Sequence, residues 1–160
     1  MPLPRVIRRP VAWVSRTAVF RRVGPAVMPP FERVMTRLTG GRVQASGLLV
    51  PTLVLHSVGA RSGIERDTTL MYCPEGERML ITGSNFARDV HPAWTANLLA
   101  VPDVEVSVGG ERIAVRATLI GDDEREQVWR ALERNWPGYR GYERTSGRTL
   151  RIFRLERRES

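Results

Sequence analysis

Between Leu49 and Leu155 the chain breaks into short β-branched runs separated by turn-forming residues, and that rhythm excludes most folds open to a single domain. Leu49 to Val58 (LVPTLVLHSV) reads as a buried strand ending at Gly59-Ala60-Arg61-Ser62-Gly63. A second strand is expected from about Arg66 to Cys73 and a third from Arg78 to Gly83, joined as a hairpin through Pro74-Glu75-Gly76-Glu77. Val104 to Val108 and Arg112 to Leu119 flank Gly109-Gly110, a strong two-residue hairpin signal, and Leu150 to Leu155 forms the last strand. Two helices interrupt the series. Pro92 opens one through Leu99, and Pro102 lies beyond it; Asp122 and Asp123 cap the other, which carries Val128, Trp129, Leu132 and Trp136 on one face and stops at Pro137. Six short strands with an antiparallel bias predict a mainly β, α+β barrel with inserted helices. A dinucleotide-binding doubly wound sheet is excluded, because no Gly-x-Gly-x-x-Gly follows a strand.

A length of 160 residues suits one ordinary core, with 42% apolar and 26% charged residues as in soluble globular proteins. Cys73 is the single cysteine, which excludes an internal disulfide framework and points to a reducing, cytoplasmic compartment. Every basic side chain is arginine. Residues 1–42 hold nine arginines against one acid, Glu32, so the whole net charge of +8 belongs to this N-terminal arm, while 43–160 forms the barrel domain. Within the arm, Phe31, Val34, Met35 and Leu38 sit at helical spacing behind Pro30 and before Gly40; Val11, Val14 and Ala18 do so less cleanly, with Trp13 and Phe20 off their face. Charge and Pro10 interrupt any export-signal core, and no apolar run is long enough to span a bilayer. Residues 1–30 are suited to peripheral contact with an anionic membrane, on the inner face of the cell membrane, or equally to packing on the barrel or a second subunit. Nucleic acid is not expected as a partner, since no stacking motif or recognition helix accompanies the charge.

The sharpest chemical feature is the loop after the first strand. Gly59 and Gly63 free the backbone, Ser62 adds a hydroxyl, and Arg61 and Arg66 supply planar cations suited to phosphate. An exposed turn with two solvated arginines accounts for these residues equally well. Ser84-Asn85-Phe86 offers hydrogen-bonding groups beside an aromatic, or else a polar turn with one core phenylalanine. Trp94 and Asn97 in His91-Pro92-x-Trp94-x-x-Asn97 share a helical face that suits a heterocycle or simple core packing. Trp136, Tyr139 and Tyr142, spaced by three around Pro137 and Gly138, suit a substrate pocket or a barrel-closing cluster. Two histidines and one cysteine make no credible zinc site, and no serine elbow or Walker loop occurs. Asp122, Asp123, Glu124 and Glu126 read as a solvated helix start, so a bound cofactor is expected to carry any hard chemistry.

Taken in order, Val58 to Arg66 (VGARSGIER), Ser84-Asn85-Phe86, His91 to Leu98 (HPAWTANL) and Trp136 to Tyr142 (WPGYRGY) resemble the deazaflavin-dependent nitroreductase family, the coenzyme F-420 branch of the flavin/deazaflavin oxidoreductases with a split β-barrel fold. The resemblance covers about residues 38–156. It implies that Ala60, Arg61, Ser62, Gly63 and Arg66 hold the phosphate and tail of the cofactor, and that Asp67, Thr68, Thr69 and Leu70 run along its ring. Ser84, Asn85, Phe86, Ala93, Trp94 and Asn97 would complete that site. Met71, Trp136, Tyr139 and Tyr142 would line the pocket of a small hydrophobic acceptor (a quinone, enone or nitro compound), with Tyr139 as catalytic proton donor. Coenzyme F-420 is favoured over FMN or FAD, and a homodimer is expected. Two positions depart from the pattern: relatives often carry a basic residue at the place of Ala60 and lysine at that of Asn85. The contrasting class is a non-catalytic barrel holding a lipid, flavin or haem-like ligand.

Overall fold

The computed structural model describes residues 51–85, 88–136 and 139–159. They contain six strands, β1 (Thr52–Val58), β2 (Glu65–Glu75), β3 (Arg78–Thr82), β4 (Asp103–Val108), β5 (Glu111–Leu119) and β6 (Ile152–Arg157), and three helices, α1 (Ala93–Ala100), α2 (Asp122–Asn135) and α3 (Gly141–Ser146). The arm at 1–42 and its expected helices lie outside the described residues, as does the start of the first expected strand.

Each neighbouring pair of strands is antiparallel, and the sheet closes in the order β1-β2-β3-β6-β5-β4. Local turn chemistry makes the hairpins. Gly109 and Gly110 adopt φ of 58° and 88°, the paired left-handed geometry that a two-residue hairpin turn requires. Closure itself is non-local. β6 enters between β3 and β5 with Ile81 opposite Phe153 and Ala117 opposite Leu155.

Two apolar clusters result. Leu53, Leu55, Ile81, Val106, Val115, Phe153 and Leu155 fill the barrel together with Trp94 and Leu98 of α1. On the outer face, Cys73, Leu80 and Ile152 pack under Val128, Trp129 and Leu132 of α2, joined by Trp136, Tyr139 and Tyr142. β3 and β6 therefore bury both faces, which explains why their sequences lack clean alternation. Arg154 anchors the arrangement, with Nε and Nη2 on Glu75 at 2.7 and 3.2 Å and Nη1 on Glu124 at 2.8 Å. Hydrogen bonding to Arg154 holds the Glu75 carboxyl below its usual range.

Three expectations need correction. Asp122 and Asp123 do not cap α2: Gly121 stands at the cap, no side chain bonds there, and the two acids with Glu124 fill the first turn, where they act on the helix dipole. The final strand starts at Ile152 rather than Leu150, and Leu150 is buried in the outer cluster. α3 was not anticipated, because GYERTS is too short and polar to show a period; Gly147 at φ 68° ends it. Glu143 of α3 pairs with Arg125 of α2, and its Oε1 also accepts from Leu150 N at 2.9 Å, tying both helices to the approach to β6.

Candidate active site

The loop between β1 and β2 is held from within. Gly59 N donates to Ile64 O and Gly63 N to Gly59 O, both at 2.8 Å. A Cβ on Gly59 would stand 2.4 Å from Ser62 Oγ, which would have to turn aside, and Gly63 sits at φ 66°, where the turn requires glycine. Asn97 of α1 clamps the loop from behind: its Oδ1 accepts from Ala60 N at 2.9 Å, and its Nδ2 donates to Ser57 Oγ at 3.4 Å. The glycines therefore do not free a run of amides, since those of Gly59, Ala60 and Gly63 are spent internally. What faces outward is the tip, with Arg61 and Ser62, and the Arg66 side chain at the start of β2. Among the described residues neither Arg61 nor Arg66 has an ion-pair partner.

From this loop β2 leads to the outer cluster. Leu70 and Tyr72 pack into the barrel, whereas Met71 packs outside it, so Asp67, Thr69 and Met71 share the outward face and Thr68 turns inward with Leu70. Arg66 and Met71 are about 17 Å apart along the strand. At the Met71 end lies a cavity of about 10 Å³, room for one water, lined among others by Met71, Cys73, Thr82, Trp136 and Tyr139. Tyr142 does not line it but stands edge-on to Tyr139 at 5.4 Å, as does Trp129 at 6.2 Å.

Tyr139 is 7% exposed, and its hydroxyl makes a long 3.5 Å contact with Ser84 Oγ. Burial pushes the phenol up to about 12, against the smaller lowering effects of the Ser84 and Thr82 hydroxyls. At neutral pH it is a hydrogen-bond donor and no base. Thr82 Oγ1, also buried on the cavity, makes no hydrogen bond of ordinary geometry among the described residues, though it is close enough to the Tyr139 hydroxyl to favour its ionised form slightly. A polar group left so inside an apolar wall favours a ligand that can hydrogen-bond to it.

The remaining candidates divide. Asn85 adopts φ 46° and spends its amide closing its own turn, with Nδ2 donating to Val90 O at 2.8 Å. Ala93 is exposed at the start of α1. Trp94 points into the barrel, 5.9 Å from the Phe153 ring, and so packs as core. Phe86 lies outside the described residues. The structure thus gathers Ala60, Arg61, Ser62, Gly63 and Arg66 at one end and Met71, Ser84, Trp136 and Tyr139 at the other, while Trp94 and Asn97 support from behind.

One constellation escaped the sequence reading. His56 Nδ1 meets Asp67 Oδ1 at 2.7 Å and its Nε2 meets Ser107 Oγ at 2.8 Å. The connectivity is that of a nucleophilic triad, but it lies on the outer face of three paired strands. β1 is hydrogen-bonded to neighbours on both sides at His56, which leaves no pair of amides there for an oxyanion. It works as a polar strut across β2, β1 and β4, and only strand register reveals it.

Residues 31–157 match the family model described as F420H(2)-dependent quinone reductase. An F420H(2)-dependent quinone reductase of Mycobacterium tuberculosis is 34% identical over 111 residues, 68% of this chain and 74% of that relative. Among solved structures, the F420-H2 dependent reductase FDR-A superposes with a TM-score of 0.60 at 28% identity, covering 66% of this chain and 94% of that one. A structure described as a domain-swapped dimer superposes with a TM-score of 0.62 at 26% identity, covering 78% and 96%.

Two outcomes follow from this geometry. Asn97→Ala strands the Ala60 amide and should cost about 1–3 kcal/mol, with faster amide hydrogen exchange confined to residues 59–64; unchanged exchange there would remove the clamp. Burial, then the Arg151 and Arg148 guanidiniums, hold His91 below the usual imidazole range. The folded state thus binds this proton less readily than the unfolded chain. Its contribution is complete above about pH 6.5 and is lost as pH falls from there through the lower folded value. Denaturation midpoints of His91→Gln should fall less than those of the parent between about pH 7 and pH 5, and parallel curves would refute the assignment.

Proposed function

This chain belongs to the F420H(2)-dependent quinone reductase family, and from that membership we propose that it passes hydride from reduced coenzyme F-420 to a small hydrophobic quinone, enone or nitro acceptor. The observation that carries the reading is the placement of Arg61 and Arg66, guanidiniums without an ion-pair partner among the described residues, at one end of β2 and of an apolar, tyrosine-lined cavity at its other end. The residues present fit such a cofactor: exposed planar cations suit a phosphate-bearing tail, and about 17 Å of β2 separates them from the apolar end.

When bound, the reduced deazaflavin supplies a hydride from ring carbon C5. Arg61, Ser62 and Arg66 take the phosphate and tail, with the Ala60 and Gly63 backbone shaping the turn beneath them. Ala60 adds no cation, so the two arginines carry the charge of the grip. Asp67 to Met71 would flank the ring, with Ser84, Asn85 and Ala93 beside it and Trp94 and Asn97 as support. Met71, Trp136 and Tyr139 meet the acceptor, and Tyr142 buttresses Tyr139. Charge develops on the acceptor oxygen as hydride arrives, and the Tyr139 hydroxyl stabilises it by donating a hydrogen bond and then its proton, which water restores. Hydride plus proton completes the two-electron reduction.

The same proposal places the chain at the cytoplasmic face of the membrane as a homodimer. A free, buried Cys73 supports a reducing compartment, and six arginines with no acid in residues 1–30 support contact with anionic lipid. The dimeric neighbour supports the assembly.

Mixing the protein with reduced F-420 and menadione should restore the visible absorbance of the oxidised cofactor; no turnover and no binding by fluorescence titration would reject the function. Arg61→Ala with Arg66→Ala should weaken cofactor binding by about tenfold to a hundredfold without unfolding the barrel, and Tyr139→Phe should lower kcat with cofactor affinity unchanged. Deleting residues 1–29 should abolish sedimentation with anionic liposomes, and equal sedimentation would remove the membrane contact.

A further inference from the structure

Arg148 follows Gly147 at the end of α3, and its guanidinium grips the segment that leads from β3 to α1. Nη2 donates to Gly83 O and to Ser84 O, each at 3.0 Å. Nε donates to Arg88 O at 2.9 Å, and Nη1 lies 3.0 Å from His91 Nδ1. His91 is held neutral by its surroundings, so Nδ1 accepts and the ring proton resides on Nε2. Four acceptors thus converge on one planar fork.

The side chain is half-buried, and among the described residues no carboxylate pairs with it. Desolvation, then the Arg151 charge, lowers its pKa, but arginine stays charged; carbonyl dipoles answer the charge at contact, with the carboxylates of Asp89 and Glu143 acting from farther away. A partly buried cation answered in this way is an expensive means of joining loops. What it joins is specific. On one side stands Ser84, the hydroxyl partner of Tyr139; on the other is the short stretch from Tyr139 through α3, whose Tyr142 packs edge-on to Tyr139. Gly83 is pinned independently, its N donating to Arg151 O at 2.8 Å, and a Cβ there would stand 2.8 Å from Thr95 Cγ2. The backbone carrying Ser84 therefore has little freedom once Arg148 is in place.

We propose that Arg148 is a positioning residue: by fixing Gly83 and Ser84 against the end of α3, it sets the Ser84 hydroxyl and with it the direction of the Tyr139 phenol. This rests on the reading of Tyr139 as the donor to the acceptor. Lysine keeps the charge but loses the fork, so Arg148→Lys recovers only part of the effect.

The test compares Arg148→Met, Arg148→Lys and Arg148→Ala with the parent. In reduced F-420 plus menadione, kcat should fall on the order of tenfold to a hundredfold for Met and less for Lys, while the F-420 dissociation constant stays nearly constant. Added guanidinium chloride at millimolar concentration should restore part of kcat in Arg148→Ala. In cofactor-free protein, ultraviolet titration corrected with Tyr139→Phe should show the Tyr139 phenol ionising at higher pH in the Met variant than in the parent, because the Ser84 contact that lowers it is lost. Unchanged kcat in both Met and Lys variants overturns the proposal, as does a parallel loss of cofactor affinity without guanidinium rescue. Should the Met and Ala variants fail to fold, Lys decides by the same kcat and titration criteria. A parent without turnover rejects the proposed function instead, and the cofactor-free titration then decides on Arg148: an unmoved midpoint overturns its positioning role.

Discussion

The entry of β6 between β3 and β5 is the constraint on which both ends of the site depend. It places Phe153 and Leu155 in the barrel and Ile152 outside it, so that one strand contributes to both clusters. The outer cluster exists only because β2, β3 and β6 present a continuous floor to α2, and the cavity beside Tyr139 opens between that floor and the helix end. Arg154 shows how the floor and roof are registered, since its fork takes Glu75 of β2 while its third nitrogen reaches Glu124 in the first turn of α2. Removing that guanidinium would leave Glu75 with Arg78 alone, strip Glu124 of its cation and release α2 from the strands beneath it.

The two ends of β2 have opposite physical character. At the loop, exposed guanidiniums work in high dielectric, where a single contact is weak and strength comes from bidentate geometry on a rigid support. Asn97 supplies that rigidity with one amide, bonding Ala60 and Ser57 at once. At the cavity, the walls are mostly apolar and a single hydroxyl contact weighs heavily, which is why Tyr139, Ser84 and Thr82 matter more than their number suggests. A strand is a suitable connector because its length is fixed and its alternation holds Asp67, Thr69 and Met71 on one side.

The six strands were legible because their signals are local: Gly109-Gly110, Gly76 and Gly59 through Gly63 punctuate the chain wherever the fold later sits. The loop was legible for the same reason, and the ordered resemblance identified the family that the comparisons bear out. Register was not legible, and whatever depends on it was missed, such as His56 meeting Asp67 and Ser107 from separate strands. Trp94 and Asn97 illustrate a different limit. Helical spacing correctly placed them on one face, but spacing says nothing about what that face meets, and here it meets the barrel and the back of the loop. α3 was lost because six polar residues carry no period, and with it the function of Arg148, whose acceptors lie about sixty residues away.

Cys73 joins these threads. It lines the water-sized cavity beside Tyr139, and the proposed quinone acceptor would be an electrophile approaching that wall. Desolvation raises the thiol pKa more than the Arg134 charge lowers it, and Sγ lies 3.6 Å from the carbonyls of Pro74 and Ala131, which favours the protonated form. The burial that makes this wall apolar thereby also keeps its one thiol protonated. A polar substitution in this wall, at Leu132 for instance, would hydrate both groups together, so that a more acidic Tyr139 phenol and a more reactive cysteine are coupled consequences of the same packing.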